Sequence, residues 1–120
     1  MKTILYVEDD KINALVISKF LENEYHVLLA RNQEEALQTI HSNTIDLYIL
    51  DISLGNEDED GVDLMNKIKV LPQEKGKNFI ALTAHALKED QEKYLQSGFD
   101  AYLSKPINRN LLLDTVARFL

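Results

Sequence analysis

One apolar stretch constrains the fold of this chain more than any other feature. Leu47-Tyr48-Ile49-Leu50 runs directly into Asp51, and a polar, acidic segment from Ser53 to Gly61 follows. A continuous apolar run of this length, bounded by turn residues, is typical of a strand buried on both faces, as parallel strands are. The sequence therefore predicts a central parallel strand over residues 47–52. Asp51 would lie at its carboxyl end, the edge where open α/β sheets bind ligands.

Four further short apolar runs predict strands, and a segment with helical character follows each of them. The predicted strands are Thr3–Val7, His26–Ala30, Phe79–Thr83 and Ala101–Leu103. The first two predicted helices begin after Asp10 and after Asn32. The other three span about residues 62–71, Leu87 to Gln96 and about Arg109 to Leu120. This alternation predicts a three-layer α/β fold, a parallel five-stranded sheet with helices on both faces.

The chain is too short to close an eight-stranded barrel, so the sheet is expected to be open. Flavodoxin-like folds have this (βα)5 architecture, and the strand order 2-1-3-4-5 is taken from them, whereas the strand count follows from the sequence. In this order strand 1 lies beside strand 3. Asp9 and Asp51 would then be neighbours at the carboxyl edge of the sheet.

Local signals predict where several helices begin and end. Asp10 and Asn32 are good N-cap residues, because short polar side chains accept hydrogen bonds from the free amides of a first turn. Apolar residues with helical spacing predict an amphipathic first helix; they are Ile12, Leu15, Val16 and Phe20. Pro72 is expected to stop the third helix and Gly98 the fourth.

Composition excludes several classes of protein. The chain has no cysteine, which rules out disulfides and thiol catalysis, and its net charge of −7 argues against direct nucleic-acid binding. No apolar run approaches the roughly 20 residues that span a bilayer, and the N-terminus lacks the pattern of a signal peptide. We therefore expect one domain over residues 1–120, located in the cytoplasm, without membrane contact and without an output domain.

Polar side chains lie at the predicted carboxyl ends of four strands. They are Glu8 and Asp9 after strand 1, Asp51 after strand 3, Thr83 at the end of strand 4 and Lys105 just after strand 5. Crowded carboxylates repel, by about 4 kcal/mol for one close pair at an effective dielectric near 20, so the site requires a cation. Oxygen ligands favour Mg²⁺, with Mn²⁺ as the alternative. An aspartate beside such a metal, a lysine and a hydroxyl has the groups needed to form an aspartyl-phosphate.

Several of these residues also have a purely structural interpretation. Asp10 is interpreted as a helix cap, and the acidic run from Glu57 to Asp60 as a solvated loop. Thr83 taken alone would more often be a strand or capping residue, and Lys105 taken alone a solvated surface lysine. Their order along the chain, each at the carboxyl end of a strand, favours the functional interpretation.

Five short motifs follow one another along the chain: Ile4-Leu5-Tyr6-Val7-Glu8-Asp9-Asp10, Leu50-Asp51, Ala81-Leu82-Thr83-Ala84, Gly98-Phe99-Asp100-Ala101-Tyr102 and Leu103-Ser104-Lys105-Pro106-Ile107. With these motifs in this order the chain resembles, over essentially its whole length, a response-regulator receiver domain of two-component and phosphorelay signalling. The resemblance implies that Asp51 is the phosphoacceptor. It implies that Mg²⁺ is bound by Asp9, Asp51 and the backbone carbonyl of Ser53. Glu8 would act through a metal-bound water.

The resemblance also implies roles in switching. Thr83 and Lys105 would contact the phosphoryl group, and Thr83 with Tyr102 would form the switch pair. Ser53 and His85 would occupy the positions that tune hydrolysis of the phosphoryl group.

The loop after the phosphoacceptor departs from the family pattern. Gly55 stands where receivers often have a proline, and Asp60-Gly61 comes about two residues late. The loop is therefore expected to be longer and more acidic than usual. At the other side of the site, Lys105–Pro106 would be a cis peptide bond, which proline tolerates.

We therefore expect a phosphorylation switch, not an enzyme that acts on an external substrate. A histidine kinase or histidine phosphotransfer domain would donate its phosphoryl group to Asp51. A downstream protein would bind the Leu87–Gln96 helix, strand 5 and the last helix. The sequence fits a stand-alone regulator and a receiver excised from a larger protein equally.

Two alternatives stay open. One is a Mg²⁺-dependent phosphohydrolase with an aspartyl-phosphate intermediate, against which stand Ser53 in place of a second acid and the lack of a cap domain. The other is a receiver-like module that binds partners without phosphorylation. Its usual mark would be the loss of a key residue, and Asp9, Asp51, Thr83 and Lys105 are all present.

Overall fold

The computed structural model describes residues 1–52, 60–84 and 88–120, and of residues 60 and 88–90 the backbone only. Within these ranges the strands are β1 (Thr3–Val7), β2 (His26–Ala30), β3 (Leu47–Asp51), β4 (Asn78–Thr83) and β5 (Ala101–Ser104). The helices are α1 (Lys11–Leu21), α2 (Gln33–Ser42), α3 (Asp60–Lys69), α4 (Lys88–Ser97) and α5 (Arg109–Phe119). A 3₁₀ helix, η1 (Pro72–Glu74), precedes β4. All the predicted elements are present, and η1 is an addition to them.

The described strands form a parallel sheet in the order β2-β1-β3-β4-β5, which confirms the predicted topology. Val7 of β1 lies opposite Leu50 of β3, so the residues that follow them, Glu8 and Asp51, are neighbours. Thr83 of β4 lies opposite Ser104 of β5. Because the strands are parallel, the segments that leave them meet at one edge, and the topology therefore assembles the predicted site.

Alternate residues of each strand pack into two core layers, since successive side chains point to opposite faces of a sheet. One layer lies against α1 and α5 and contains Tyr6, Ile49, Leu82, Leu112 and Val116 among others. The second lies against α2, α3 and α4 and contains Val7, Leu50, Leu64, Met65 and Tyr94 among others. The strand β3 is buried along its whole length, as its unbroken apolar run predicts.

Helix α1 is present as predicted, but of the four apolar residues that predicted it only Phe20 packs against the core. The buried residues of this helix are Ala14, Ile17 and Leu21. Ile12, Leu15 and Val16 are 75%, 59% and 42% exposed. Two apolar stripes with helical spacing lie side by side on α1, and periodicity alone does not tell which of them faces the sheet.

Three predicted helix ends are confirmed, at Asp10, Asn32 and Gly98. Asp10 accepts hydrogen bonds from two backbone amides of the first turn of α1, each at 2.9 Å. Asn32 accepts one from the amide of Glu35 at 2.9 Å. Gly98 follows α4 with φ of +119°, a conformation that glycine adopts readily. In the parts of the chain that the structure describes, no helix is long and apolar enough to cross a membrane.

A buried tyrosine and a buried glutamate tie η1 to the sheet. The hydroxyl of Tyr48, on β3, donates to Oε1 of Glu74, and both residues are almost fully buried. The ring of Tyr48 stacks on Phe79 of β4, with centroids 4.8 Å apart. Burial and the neighbouring Glu74 raise the pKa of Tyr48, so the phenol keeps its proton and stays a donor. This pair lies at the amino edge of the sheet, where α3 connects to β4.

Candidate functional site

Three carboxylates meet at the carboxyl edge of the sheet. Glu8 and Asp9 follow β1 and Asp51 ends β3, and each offers an oxygen within 4.8 Å of an oxygen of the other two. Glu8 and Asp51 are buried, whereas Asp9 is exposed. A set of oxygen ligands at this spacing, open to water on one side, fits a hard divalent cation such as Mg²⁺, which keeps part of its water shell.

Lys105 supplies positive charge to two of these carboxylates. Its Nζ lies 2.7 Å from Oδ2 of Asp51 and 3.5 Å from Oε1 of Glu8. Its backbone amide donates to the carbonyl oxygen of Thr83 at 2.8 Å, and the Lys105–Pro106 bond is cis, as the resemblance implies. Burial disfavours the ammonium, but the hydrogen bond with Asp51 and the charges of Asp51 and Glu8 outweigh it and raise the pKa of Lys105. The lysine therefore stays charged.

The surroundings of Glu8 favour its neutral form when no metal is bound. Burial and the adjacent Asp51 raise the pKa of Glu8 to about 8, although the hydrogen bond from Tyr6 and the charge of Lys105 act in the opposite direction. A divalent cation among the three carboxylates would favour the ionised form of Glu8. The charge of this residue therefore depends on what occupies the site.

Tyr6 belongs to this site, and sequence reasoning missed it. Its hydroxyl donates to Oε1 of Glu8 at 2.8 Å, in a fully buried position. Burial and the charge of Glu8 raise the pKa of Tyr6, so the phenol remains a donor. The signal in the sequence was the spacing. Tyr6 and Glu8 are two positions apart at the end of one strand, which directs both side chains to the same face.

Thr83 and Tyr102, the predicted switch pair, lie on neighbouring strands. Thr83 is fully buried at the end of β4, and Tyr102 lies in β5 opposite Ala81. Tyr102 is half-buried and stacks on the buried Tyr94 of α4, with ring centroids 5.9 Å apart and an interplanar angle of 18°. The aromatic ring of β5 is therefore in direct contact with α4.

Some predicted site residues lie outside the described residues: Ser53, His85, Leu87 and the acidic segment from Gly55 to Glu59. Asp60 and Gly61 follow this segment and are the first residues of α3. A methyl group on Gly61 would come within 2.9 Å of the carbonyl oxygen of Asp51 and of Cα of Ile52. Glycine at this position therefore allows the first turn of α3 to lie directly against the strand end that carries Asp51.

A groove of about 300 Å³ is lined by residues of α1 and β2 together with two of the acidic residues, Glu8 and Asp9. Leu15 of α1 and Leu29 of β2 are among the lining residues. Leu29 is 45% exposed, so the apolar surface of α1 continues onto the edge strand of the sheet.

Comparison with known proteins identifies this arrangement. Residues 4–117 match the family model of the response regulator receiver domain. The chain belongs to this family. The receiver domain is 31% identical over 120 residues to the polar-differentiation response regulator DivK of Brucella anthropi, a match that covers 99% of this chain and 96% of that protein. It is 32% identical over 118 residues to the signal transduction histidine-protein kinase BarA of Escherichia coli, covering 98% of this chain and 13% of that kinase.

Solved structures share the fold of this receiver domain. The chemotaxis response regulator CheY4 of Vibrio cholerae superposes with a TM-score of 0.89 at 26% identity, covering 100% of this chain and 99% of that one. The receiver domain of a sensor histidine kinase from Pseudomonas aeruginosa superposes with a TM-score of 0.85 at 32% identity, covering 98% and 96%. That structure holds a magnesium ion in its active-site cleft. The fold and the family predicted from the sequence are thus confirmed.

Proposed function

We propose that this receiver domain is a phosphorylation switch in which Asp51 accepts a phosphoryl group from a phosphohistidine of a partner protein. The observation that carries the proposal is the 2.7 Å contact between Nζ of Lys105 and Oδ2 of Asp51, inside a cluster of oxygen ligands. The acceptor oxygen is held by a charged donor, and that donor lies where the charge of an incoming phosphoryl group has to be compensated.

The transfer would leave the phosphoryl group on the protein. An oxygen of Asp51 forms the new O–P bond while the P–N bond of the phosphohistidine breaks, and the electron pair leaves with the imidazole nitrogen. Lys105 then holds a phosphoryl oxygen, and the hydroxyl of Thr83, at the end of the adjacent strand, contacts another. No external substrate is turned over, so the chain acts as a switch and is not an enzyme in the usual sense.

The residues of the site fit Mg²⁺. Asp9 and Asp51 would bind it together with the backbone carbonyl of Ser53, and Glu8 would act through a water of its hydration shell. When bound, Mg²⁺ neutralises the charge that collects on the phosphoryl oxygens. Mn²⁺ prefers the same oxygen ligands and should replace it.

Thr83 and Tyr102 would carry the signal from the site to the surface. Phosphorylation adds charge and acceptor oxygens beside Thr83, which draw its hydroxyl inward and leave space that Tyr102 can occupy. Because Tyr102 stacks on Tyr94, this movement would be passed to α4. Ser53 and His85 remain the predicted positions for tuning the phosphoryl lifetime.

Two surfaces would serve two protein partners. A histidine kinase or phosphotransfer domain that brings its histidine to Asp51 must lie across the carboxyl edge. It would therefore cover the groove and the exposed apolar side chains of Ile12 and Leu15 beside it. The downstream protein would bind α4, β5 and α5. No role in nucleic-acid or membrane binding is proposed, and the cytoplasmic location stays a prediction.

Intact-protein mass spectrometry tests the proposal. The wild type and Asp51→Asn would be exposed to acetyl phosphate or phosphoramidate with and without Mg²⁺. We expect the mass of one phosphoryl group to be added to the wild type with Mg²⁺ only. Asp51→Asn should stay folded by circular dichroism and gain nothing. Labelling of Asp51→Asn would overturn the assignment, and turnover of small phosphate esters would favour a phosphohydrolase instead.

A further inference from the structure

We propose that Tyr6 is a positioning residue of the metal site: its hydroxyl fixes the carboxylate of Glu8 in the orientation that Mg²⁺ binding requires. This inference rests on the proposed function and deepens it. It concerns a residue of the sheet interior, and Tyr6 is not itself a ligand.

Tyr6 is a rigid donor. It lies in β1, which pairs with β2 on one side and β3 on the other, so Tyr6 is opposite both Leu29 and Ile49. The residue is fully buried in the core layer against α1 and α5. A ring in such close packing keeps one rotamer, because interiors leave little free space around their side chains. Its hydroxyl therefore has a fixed position.

Glu8 needs a fixed donor. Its side chain is 0% exposed, so water does not orient the carboxylate from outside. The hydroxyl of Tyr6 reaches Oε1 at 2.8 Å, whereas the amide of Asp10 reaches Oε2 at 3.4 Å. Nζ of Lys105 is 3.5 Å from Oε1 of Glu8 but 2.7 Å from Oδ2 of Asp51, so its closer ion pair is with Asp51. Tyr6 provides the shortest of these contacts.

The orientation of Glu8 matters for the metal because metal sites depend on residues that orient the ligating groups. Removal of such an orienting partner costs about 10–100-fold in metal affinity in known sites. Without the hydroxyl, Oε1 of Glu8 would lose its 2.8 Å hydrogen bond, and the carboxylate would no longer be held by this contact when Mg²⁺ binds. The lower end of the range is expected here, since Glu8 acts through water.

Tyr48 provides a matched control within the same sheet. It is also fully buried, and its hydroxyl also donates to a buried glutamate, Glu74. That pair lies at the amino edge, away from the three carboxylates. Tyr6→Phe and Tyr48→Phe therefore remove the same atom from equally buried rings, and only the first removal touches the metal site.

The test compares the wild type, Tyr6→Phe and Tyr48→Phe by isothermal calorimetry with MgCl₂ and by phosphorylation with phosphoramidate over a range of Mg²⁺ concentrations. Tyr6→Phe should raise the Mg²⁺ Kd and the half-maximal Mg²⁺ concentration by about tenfold. Its rate at saturating Mg²⁺ should stay within about twofold of the wild type, because no group that contacts phosphorus is changed. Tyr48→Phe should leave both Mg²⁺ constants unchanged. Equal Mg²⁺ affinity in Tyr6→Phe and the wild type would overturn the inference.

A wild type that neither binds Mg²⁺ nor becomes phosphorylated would instead overturn the proposed function, so the two failures are distinct. A second measurement needs no variant. In wild-type protein with ¹³C-labelled tyrosines, a Mg²⁺ titration should shift the Cζ resonance of Tyr6 and leave that of Tyr48 in place. An unmoved Tyr6 resonance in protein that binds Mg²⁺ would also overturn the inference, even if Tyr6→Phe proved unable to fold.

Discussion

Two buried tyrosines of this sheet donate to two buried glutamates, and the pairs lie at opposite edges. Tyr6 with Glu8 lies at the carboxyl edge, and Tyr48 with Glu74 at the amino edge. At the carboxyl edge the topology brings Asp51 and Lys105 to the same glutamate, and burial together with Asp51 raises the pKa of Glu8 to about 8 although Lys105 opposes the shift. At the amino edge the glutamate belongs to the short helix η1 and joins it to β3.

The difference shows that the charged groups around a buried tyrosine–glutamate hydrogen bond decide its role more than the hydrogen bond itself does. Carboxylates that lie close together repel one another, and a cation bound among them compensates that repulsion. A group of this kind can therefore serve as a metal site. A carboxylate that meets one neutral donor stabilises the contact between two elements. The loops that follow the carboxyl ends of parallel strands lie at the same edge of the sheet, so carboxylates that lie close together are expected at that edge.

The largest expected effect comes from removing the positive charge of Lys105 from the carboxyl edge. Lys105→Met should slow phosphorylation of Asp51 by about 100-fold, equal to about 2.7 kcal/mol, because a charged donor to the phosphoryl oxygens is lost. Phosphorylation rates with phosphoramidate measure the effect. Lys69→Met is the control, since Lys69 donates to the carbonyl of Gly98 instead. A rate for Lys105→Met within threefold of the control would contradict the role given to this lysine.

The raised pKa of Glu8 predicts a pH dependence of stability in the metal-free protein. The value of about 8 is above the ordinary value, so the folded state binds more protons than the unfolded state between roughly pH 4.5 and 8. The free energy of unfolding should therefore fall as pH rises through this window, by at most about 1.4 kcal/mol per unit, and level off above it.

Urea denaturation between pH 5 and 9 measures that dependence. Glu8→Gln lacks the titrating group, so the wild type should lose stability relative to this variant as pH rises. Saturating Mg²⁺ should reduce the difference between them, since the cation favours ionised Glu8. Parallel pH curves for the two metal-free proteins would show that Glu8 does not titrate in this range.

Breaking the amino-edge pair should affect stability alone. Tyr48→Phe leaves the buried acceptor Glu74 without the phenol, which should lower the free energy of unfolding by about 1.5 kcal/mol. The rate of phosphorylation at saturating Mg²⁺ should not change. Urea denaturation and the phosphoramidate assay on the same preparations give both quantities. A slower phosphorylation with unchanged stability would show that Tyr48 serves the carboxyl-edge site and does not stabilise the contact between η1 and β3.

The smallest expected effect distinguishes the roles of two adjacent acidic residues of the carboxyl edge, Asp9 and Asp10. Asp10 caps α1 through two amides, so Asp10→Ala should lower the free energy of unfolding by about 1 kcal/mol. Its Mg²⁺ affinity by calorimetry should match the wild type. Asp9→Asn should show the opposite result, with weaker Mg²⁺ binding and little loss of stability. The proposed division of roles fails if Asp10→Ala weakens Mg²⁺ binding as much as Asp9→Asn does.

Much of the fold could be read from local patterns. Asp10, Asn32 and Gly98 mark helix ends through hydrogen bonds and dihedral angles set by near neighbours, so these predictions are confirmed. The strand count follows from five apolar runs. The strand order came from the fold type, because pairing between strands joins distant residues that no local pattern connects. The candidate site residues followed from the strand ends, and their roles remain predictions.

The missed features have a common cause. The spacing of Tyr6 and Glu8 was visible in β1, but a hydrogen bond at the strand end needed a structure to reveal it. Tyr48 and Glu74 are 26 residues apart, and nothing in the segment around Pro72 marks Glu74 as buried. Periodicity did not show which face of α1 is buried, because its apolar residues form two stripes and only the position of the sheet selects between them.

The sequence by itself determined where strands and helices lie, where several helices end and which chemistry-bearing residues end the strands, because these depend on periodicity and near-neighbour hydrogen bonding. The tertiary structure decided which stripe of α1 is buried, that Lys105 lies between Asp51 and Glu8, and that Tyr6 and Tyr48 donate to different glutamates. Those outcomes depend on how strands and helices pack together. A side chain's partner is chosen by that packing, and the packing is a property of the whole chain.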